Sequence, residues 1–136
     1  MTMDVPAAGR QAPSSTAHRL EPLLNARSLA VLGASERAGS FGLRLAQAVK
    51  SAGYAGQVDF INPRYTTILG SPCRAALADL DTAPDLVMLG VGARNLEQSL
   101  LDAIRIGAGS AVIFDACHGE AMNGQPLLPR LRSIAR

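Results

Sequence analysis

Short apolar runs alternate along the chain with amphipathic stretches of helical period. Residues 29–32 (Leu-Ala-Val-Leu) form an apolar run closed by Gly33, which predicts a strand covered on both faces. Residues 40–52 predict a helix with Gly42, Leu45, Ala46 and Val49 on one stripe and Arg44, Gln47 and Lys50 on the other. Gly53 and Gly56 end that helix before a second strand, 58–61, which stops at Asn62-Pro63. Residues 72–80 read as a short helix, and Ala83-Pro84-Asp85 as a turn into a third strand, 86–91. Residues 95–106 predict a helix with Leu96, Leu100, Leu101 and Ile104 inward and Glu97, Gln98 and Arg105 outward. Gly107 and Gly109 close it, 111–114 make a fourth strand, and Leu127, Leu128, Leu131 and Ile134 form a last helical stripe. Leu20, Leu23 and Leu24 add a short helix over 17–25 ahead of the first strand. This strand–helix alternation predicts an α/β fold, a Rossmann-like doubly wound parallel sheet with right-handed crossovers.

In such a sheet, ligands sit beyond the carboxyl ends of the strands. The segment after the first strand carries Gly33, Ser35, Arg37, Gly39, Ser40, Phe41 and Gly42. A glycine-rich turn that opens a helix aims backbone N–H groups and the positive end of the helix dipole at one spot, which favours phosphate. The spacing is Gly-x5-Gly-x2-Gly rather than the Gly-x-Gly-x-x-Gly of dinucleotide turns. After the second strand, where a dinucleotide site expects an acid for the ribose, stand Asn62, Pro63 and Arg64. An Arg there can bind a phosphate bidentately, which favours a nucleotide with a phosphorylated ribose over NAD; on spacing alone, a solvated Arg behind a rigid turn fits equally well. The third and fourth strands lead into Gly92-Ala93-Arg94-Asn95 and Asp115-Ala116-Cys117-His118-Gly119-Glu120.

The chain has 136 residues, 48% hydrophobic and 18% charged, which fits one globular domain with room for a five-strand sheet. Its net charge of +2 does not call for nucleic acid or an anionic membrane, and no window reaches the length of a membrane span. Residues 1–16 are rich in Pro, Gly, Ser and Ala without an apolar core and read as a disordered lead-in, not a signal peptide. Two cysteines, Cys73 and Cys117, argue against a disulfide framework, so a reducing cytoplasm is expected. His18, His118 and the cysteines lack ligand spacing, so no metal site is expected. Adjacent Cys117-His118 with Glu120 suggests a triad, but neighbours in sequence rarely orient on each other, and no catalytic residue is assigned. Cys73 is expected to pack as a small apolar residue.

The run 23–35 (Leu-Leu-Asn-Ala-Arg-Ser-Leu-Ala-Val-Leu-Gly-Ala-Ser) is followed by Gly39-Ser40-Phe41-Gly42, Ile61-Asn62-Pro63-Arg64-Tyr65 and Gly70-Ser71-Pro72-Cys73. In this order the motifs resemble the N-terminal CoA-binding domain of NDP-forming acyl-CoA synthetases, which include ADP-forming acetyl-CoA synthetase and relatives of the succinyl-CoA synthetase alpha subunit. The resemblance spans residues 20–136. It implies coenzyme A as ligand, with the nucleotide phosphates over Gly33 to Gly42 and Arg64 near the adenosine end. The pantetheine arm would pass Val91, Gly92, Gly119 and Glu120. It also implies that the phosphorylatable His and the nucleotide-grasp region binding ATP or GTP belong to other domains or subunits of a parent ligase. The chain would then be a non-catalytic part of a longer protein, an expectation also raised by a helical stripe that reaches Arg136. Two positions depart from the family pattern. Val91-Gly92-Ala93 replaces a common Val-Pro-Ala, and Asp115 to His118 replaces a run of small residues in which a glycine stands at the place of Cys117. Alternatives are a degenerate CoA-sensing or scaffold domain joined to a protein acetyltransferase, and an NAD-binding domain.

Overall fold

The computed structural model of the chain describes residues 23–115, 117 and 119–135. The lead-in over 1–16, most of the helix expected over 17–25, His18 and His118 lie outside them. Six strands form one mixed, mostly parallel sheet: β1 (Ser28–Leu32), β2 (Gln57–Ile61), β3 (Thr67–Ile68), β4 (Ser71–Arg74), β5 (Leu86–Leu89) and β6 (Ser110–Ile113). Their order is β3-β4-β2-β1-β5-β6, with only β3–β4 antiparallel. Helices α1 (Phe41–Ser51), α2 (Ala93–Arg105) and α3 (Leu127–Ile134) flank it. This is the Rossmann-like α/β fold expected from the pattern.

The central strand β1 is buried on both faces because it feeds two cores. Leu29 and Val31 pack with Leu45, Ala46, Val49 and Phe60 on the α1 face. Ala30 and Leu32 pack with Val87, Leu89, Leu96, Leu100, Leu127 and Leu131 on the face shared by α2 and α3. The stripe expected on α1 is the one that is buried: Gly42, Leu45, Ala46 and Val49.

The short helix expected over 72–80 is instead the strand β4 and a single 3-10 turn, Leu77–Asp79. A two-residue hairpin turn at Leu69-Gly70, both with positive φ (48° and 80°), folds β3 back onto β4. Positive φ at both central residues is the geometry of a type I′ turn, whose usual signal is Asn-Gly or Asp-Gly. Leu69 hides that signal, and Glu36 compensates by accepting the Leu69 N–H at 2.9 Å. Cys73 is buried as expected, but in β4 opposite Phe60.

Two positions on α2 also reverse. Ile104, expected inward, is 47% exposed, whereas Glu97, expected outward, is 3% exposed. The two stand seven residues apart on one flank of α2: the turn at Met122 and Arg130 of α3 cover that flank at Glu97, and two turns further on it stays open at Ile104.

Candidate functional site

Three glycines bring the strand ends into backbone contact. Gly33 ends β1 at φ +82°, and a Cβ there would lie 2.1 Å from the Gly90 carbonyl oxygen. A Cβ on Gly42 would lie 2.1 Å from the Gly33 carbonyl oxygen, and one on Gly90 would meet Leu45 Cδ2 at 2.7 Å. The first turn of α1 therefore rests directly on the β1 loop, and the loop on the end of β5. Such contact puts the α1 N-terminus at the edge of the sheet. Gly90 carried no weight in the sequence reading, and its signal was its place as the last small residue of an apolar strand.

The loop between Gly33 and Phe41 is held by its own hydroxyls. Ser40 caps α1, accepting from Leu43 N at 3.1 Å while its Oγ donates to Arg37 O at 2.7 Å. Ser35 Oγ accepts from Arg37 N at 2.9 Å and lies 3.3 Å from Tyr65 Oη. These hydroxyls fix the loop shape, and that of Ser40 takes up the Leu43 N–H of the first helical turn. Gly39, at φ +77° with open space where a Cβ would be, turns the chain into the helix.

Asn62 joins the β1 and β2 loops. Its Nδ2 donates to Ala34 O at 2.8 Å, and its Oδ1 accepts from Arg64 N at 2.9 Å. A carboxylate could make the second bond but not the first, because it has no proton to give the Ala34 carbonyl. The acid missing at this position is thus replaced by a residue the local geometry uses as donor and acceptor together.

Two clefts meet over these residues. One, of about 340 Å³, is lined by Gly33, Ser35, Arg37, Ser40, Phe41, Gly42, Asn62, Arg64 and Tyr65, with no acidic residue. The other, of about 420 Å³, shares Gly33, Asn62 and Arg64 and extends past Pro63, Val91 and the α2 face of Asn95 and Ser99. Arg64 is exposed and borders both. Asn95, in the segment expected at the strand ends, joins the lining, as do Tyr65 and Ser99, which are not among the expected site residues.

The remaining candidates lie farther along the edge. Gly92 caps α2 in extended conformation, φ −70° and ψ 164°. A Cβ on Gly119 would be 3.6 Å from Ala93 Cβ, so the segment after β6 leans on the first turn of α2. Glu120 is exposed and forms a β-bridge with Pro126, and Leu127 N donates to Gly119 O at 2.8 Å. Cys117 is buried with φ +60°, a left-handed conformation natural to glycine. Its N–H donates to Asp115 Oδ1 at 2.6 Å. Burial, and secondarily Asp115, push the Cys117 thiol above its ordinary pKa, so it is no activated nucleophile. Among the described residues no group of three or more His, Cys, Asp or Glu could hold a metal ion, and no helix is long and apolar enough to cross a membrane.

The profile of the CoA-binding domain family matches residues 27–125. The chain is 27% identical over 101 residues to an ADP-forming acetate–CoA ligase (isoform II) of Archaeoglobus fulgidus, covering 74% of this chain and 15% of the ligase. It is also 27% identical over 103 residues to a trans-feruloyl-CoA synthase from an unknown prokaryotic organism, covering 76% of this chain and 15% of that enzyme. The solved dinucleotide-forming acetyl-coenzyme A synthetase 1 of Ca. Korarchaeum cryptofilum, in complex with phosphate and ADP, superimposes with a TM-score of 0.72 at 26% identity. That match covers 85% of this chain and 25% of the synthetase. The chain thus spans about a seventh of the curated relatives' length. With its glycine-packed loop, helix N-terminus and Asn62-Pro63-Arg64 turn, the chain belongs to the CoA-binding domain family.

Proposed function

We propose that this domain binds coenzyme A across the strand ends, as the cofactor-holding part of an NDP-forming acyl-CoA synthetase. Gly33, Ser35, Arg37, Gly39, Ser40, Phe41 and Gly42 would hold the diphosphate, through main-chain N–H groups and the α1 dipole. Asn62, Pro63 and Arg64 would border the adenosine end, with the Arg64 guanidinium on its phosphate. The pantetheine arm would run toward Val91, Gly92, Gly119 and Glu120. The observation that carries this reading is the acid-free cleft in which a helix N-terminus and two arginines, Arg37 and Arg64, border one space.

On this reading the domain binds and orients CoA without performing a complete reaction. Coenzyme A would bring the thiol that accepts the acyl group. The chain's residues would fix the nucleotide end, leaving the thiol end free to reach acyl chemistry on other parts of the parent ligase. ATP or GTP would bind there too.

Thermal unfolding with CoA, acetyl-CoA, dephospho-CoA and NAD in parallel tests the proposal. A ligand at 100 times its dissociation constant stabilises the fold by about 2.7 kcal/mol, a midpoint shift of several degrees. CoA and acetyl-CoA should give that shift. A shift with NAD and none with CoA refutes it.

A further inference from the structure

A buried carboxylate on α2 ties down the segment that follows β6. Glu97 Oε1 accepts the Met122 N–H at 2.9 Å, and Glu97 Oε2 accepts from Arg130 Nε at 3.0 Å. One side chain therefore ties three elements together: α2, the turn around Met122, and α3. Between these anchors, Ala121 N donates to Gln125 O at 2.8 Å and Leu127 N to Gly119 O at 2.8 Å, closing a small loop. Ala121 itself is buried in the core of the α2 face. Gly119 emerges from that loop beside Ala93, at the start of α2.

We propose that Glu97 is a positioning residue for ligand binding, fixing the 119–126 segment against the α2 N-terminus where the thiol-bearing arm of CoA passes. This rests on the CoA reading above and extends it to a residue outside the clefts. The sheet order separates the two ends of the site. Gly33 to Gly42 and Asn62 to Arg64 follow β1 and β2, whereas the Glu97-held segment follows β6, beyond β5. Loosening the segment should therefore act on the arm and spare the nucleotide.

The test compares CoA with adenosine 3′,5′-bisphosphate, which carries phosphates but no pantetheine, by titration calorimetry on the wild type, Glu97→Gln and Arg130→Met. Both variants should weaken CoA by about tenfold, the scale of one charge-assisted hydrogen bond. Affinity for the bisphosphate should stay within about twofold, as for sites without shared partners. Hydrogen exchange at the Met122 amide should quicken in both variants. Arg130 is 33% exposed at its side chain, so its variant decides the matter should Glu97→Gln not fold. Unchanged CoA affinity despite faster Met122 exchange overturns the inference, and so does equal weakening of both ligands. A wild type that binds neither ligand sinks the CoA reading itself, and this inference with it.

Discussion

Gly42→Ala puts two expectations in opposition. Replacing a helical glycine by alanine normally stabilises a helix, by up to about 1 kcal/mol in its interior and by less in the first turn, where Gly42 stands. Here the new Cβ would stand 2.1 Å from Gly33 O, 3.1 Å from Ser35 Cβ and 3.2 Å from Gly33 C. The obstacle is a carbonyl at the end of the central strand, which cannot swing aside as a side chain can. Relief requires α1 to retreat by about 1 Å, and a gap of that size forfeits a quarter to a half of the dispersion energy of each facing pair. Leu45, Ala46 and Val49, all buried against the sheet, would lose those contacts.

The expected cost is about 3 kcal/mol, the upper part of the range for overpacking. For a domain of this size that lowers the melting midpoint by about 10 °C. The assay is thermal and urea unfolding followed by far-ultraviolet circular dichroism, with Gly53→Ala as the control. Gly53 has φ +71° and open space at the Cβ position, so its alanine carries backbone strain of about 1–2 kcal/mol without a clash. A Gly42→Ala protein as stable as wild type refutes the close-packing argument. One that keeps its stability but loses CoA shows that the glycine serves ligand approach alone.

Arg64→Ala should weaken CoA by about 1.5–3 kcal/mol, and dephospho-CoA by less, in parallel calorimetric titrations; equal losses would move Arg64 off the 3′-phosphate. Asn62→Asp should destabilise the fold by about 1–3 kcal/mol in urea unfolding, because the Ala34 carbonyl loses its donor. Gly92 already has the φ of a proline and free space for a Cβ, so Gly92→Pro should raise stability by about 0.4–1 kcal/mol. The Met122 N–H, and to a lesser extent Arg130, holds the Glu97 carboxyl below its usual pKa. Its contribution to stability is therefore complete above the ordinary carboxylate pKa of about 4.3 and is lost as pH falls through the lower folded value. The stability gap between wild type and Glu97→Gln should close over that acid range, and a gap constant from pH 7 to pH 2 would contradict the assignment.

Where one periodicity governs a segment, the sequence is easily read. The β1 run and the α1 stripe are each set by a single packing surface, and both were legible to within a residue or two. Residues 72–80 were not, because β4 is held by long-range pairing with β2 and by a hairpin whose first turn residue is leucine. Glu97 was unreadable for a related reason. Helical periodicity describes one buried face, and α2 has a second neighbour arriving some 30 residues later (Met122 and Arg130). At the candidate site, the glycines and Asn62-Pro63-Arg64 stood out in sequence, since unusual backbone demands unusual residues. Tyr65 and Gly90 did not, because their importance lies in what they touch.

The departures after β6 also look different in three dimensions. In sequence, Asp115 puts a negative charge beside an anionic cofactor's path, and Cys117 occupies a place suited to glycine. Cys117 nonetheless takes a glycine-like left-handed backbone, at a strain of about 1–2 kcal/mol. The Asp115 carboxylate supports it by accepting the Cys117 N–H, so the charge is directed into its own loop. A few residues on, the Glu97 carboxylate takes the Met122 N–H in the same manner. Two carboxylates thus bind main-chain N–H groups at either end of the turn that carries Gly119. Acidic side chains within the fold hold this turn, and Asp115, the residue that departs from the family pattern, is itself one of its supports.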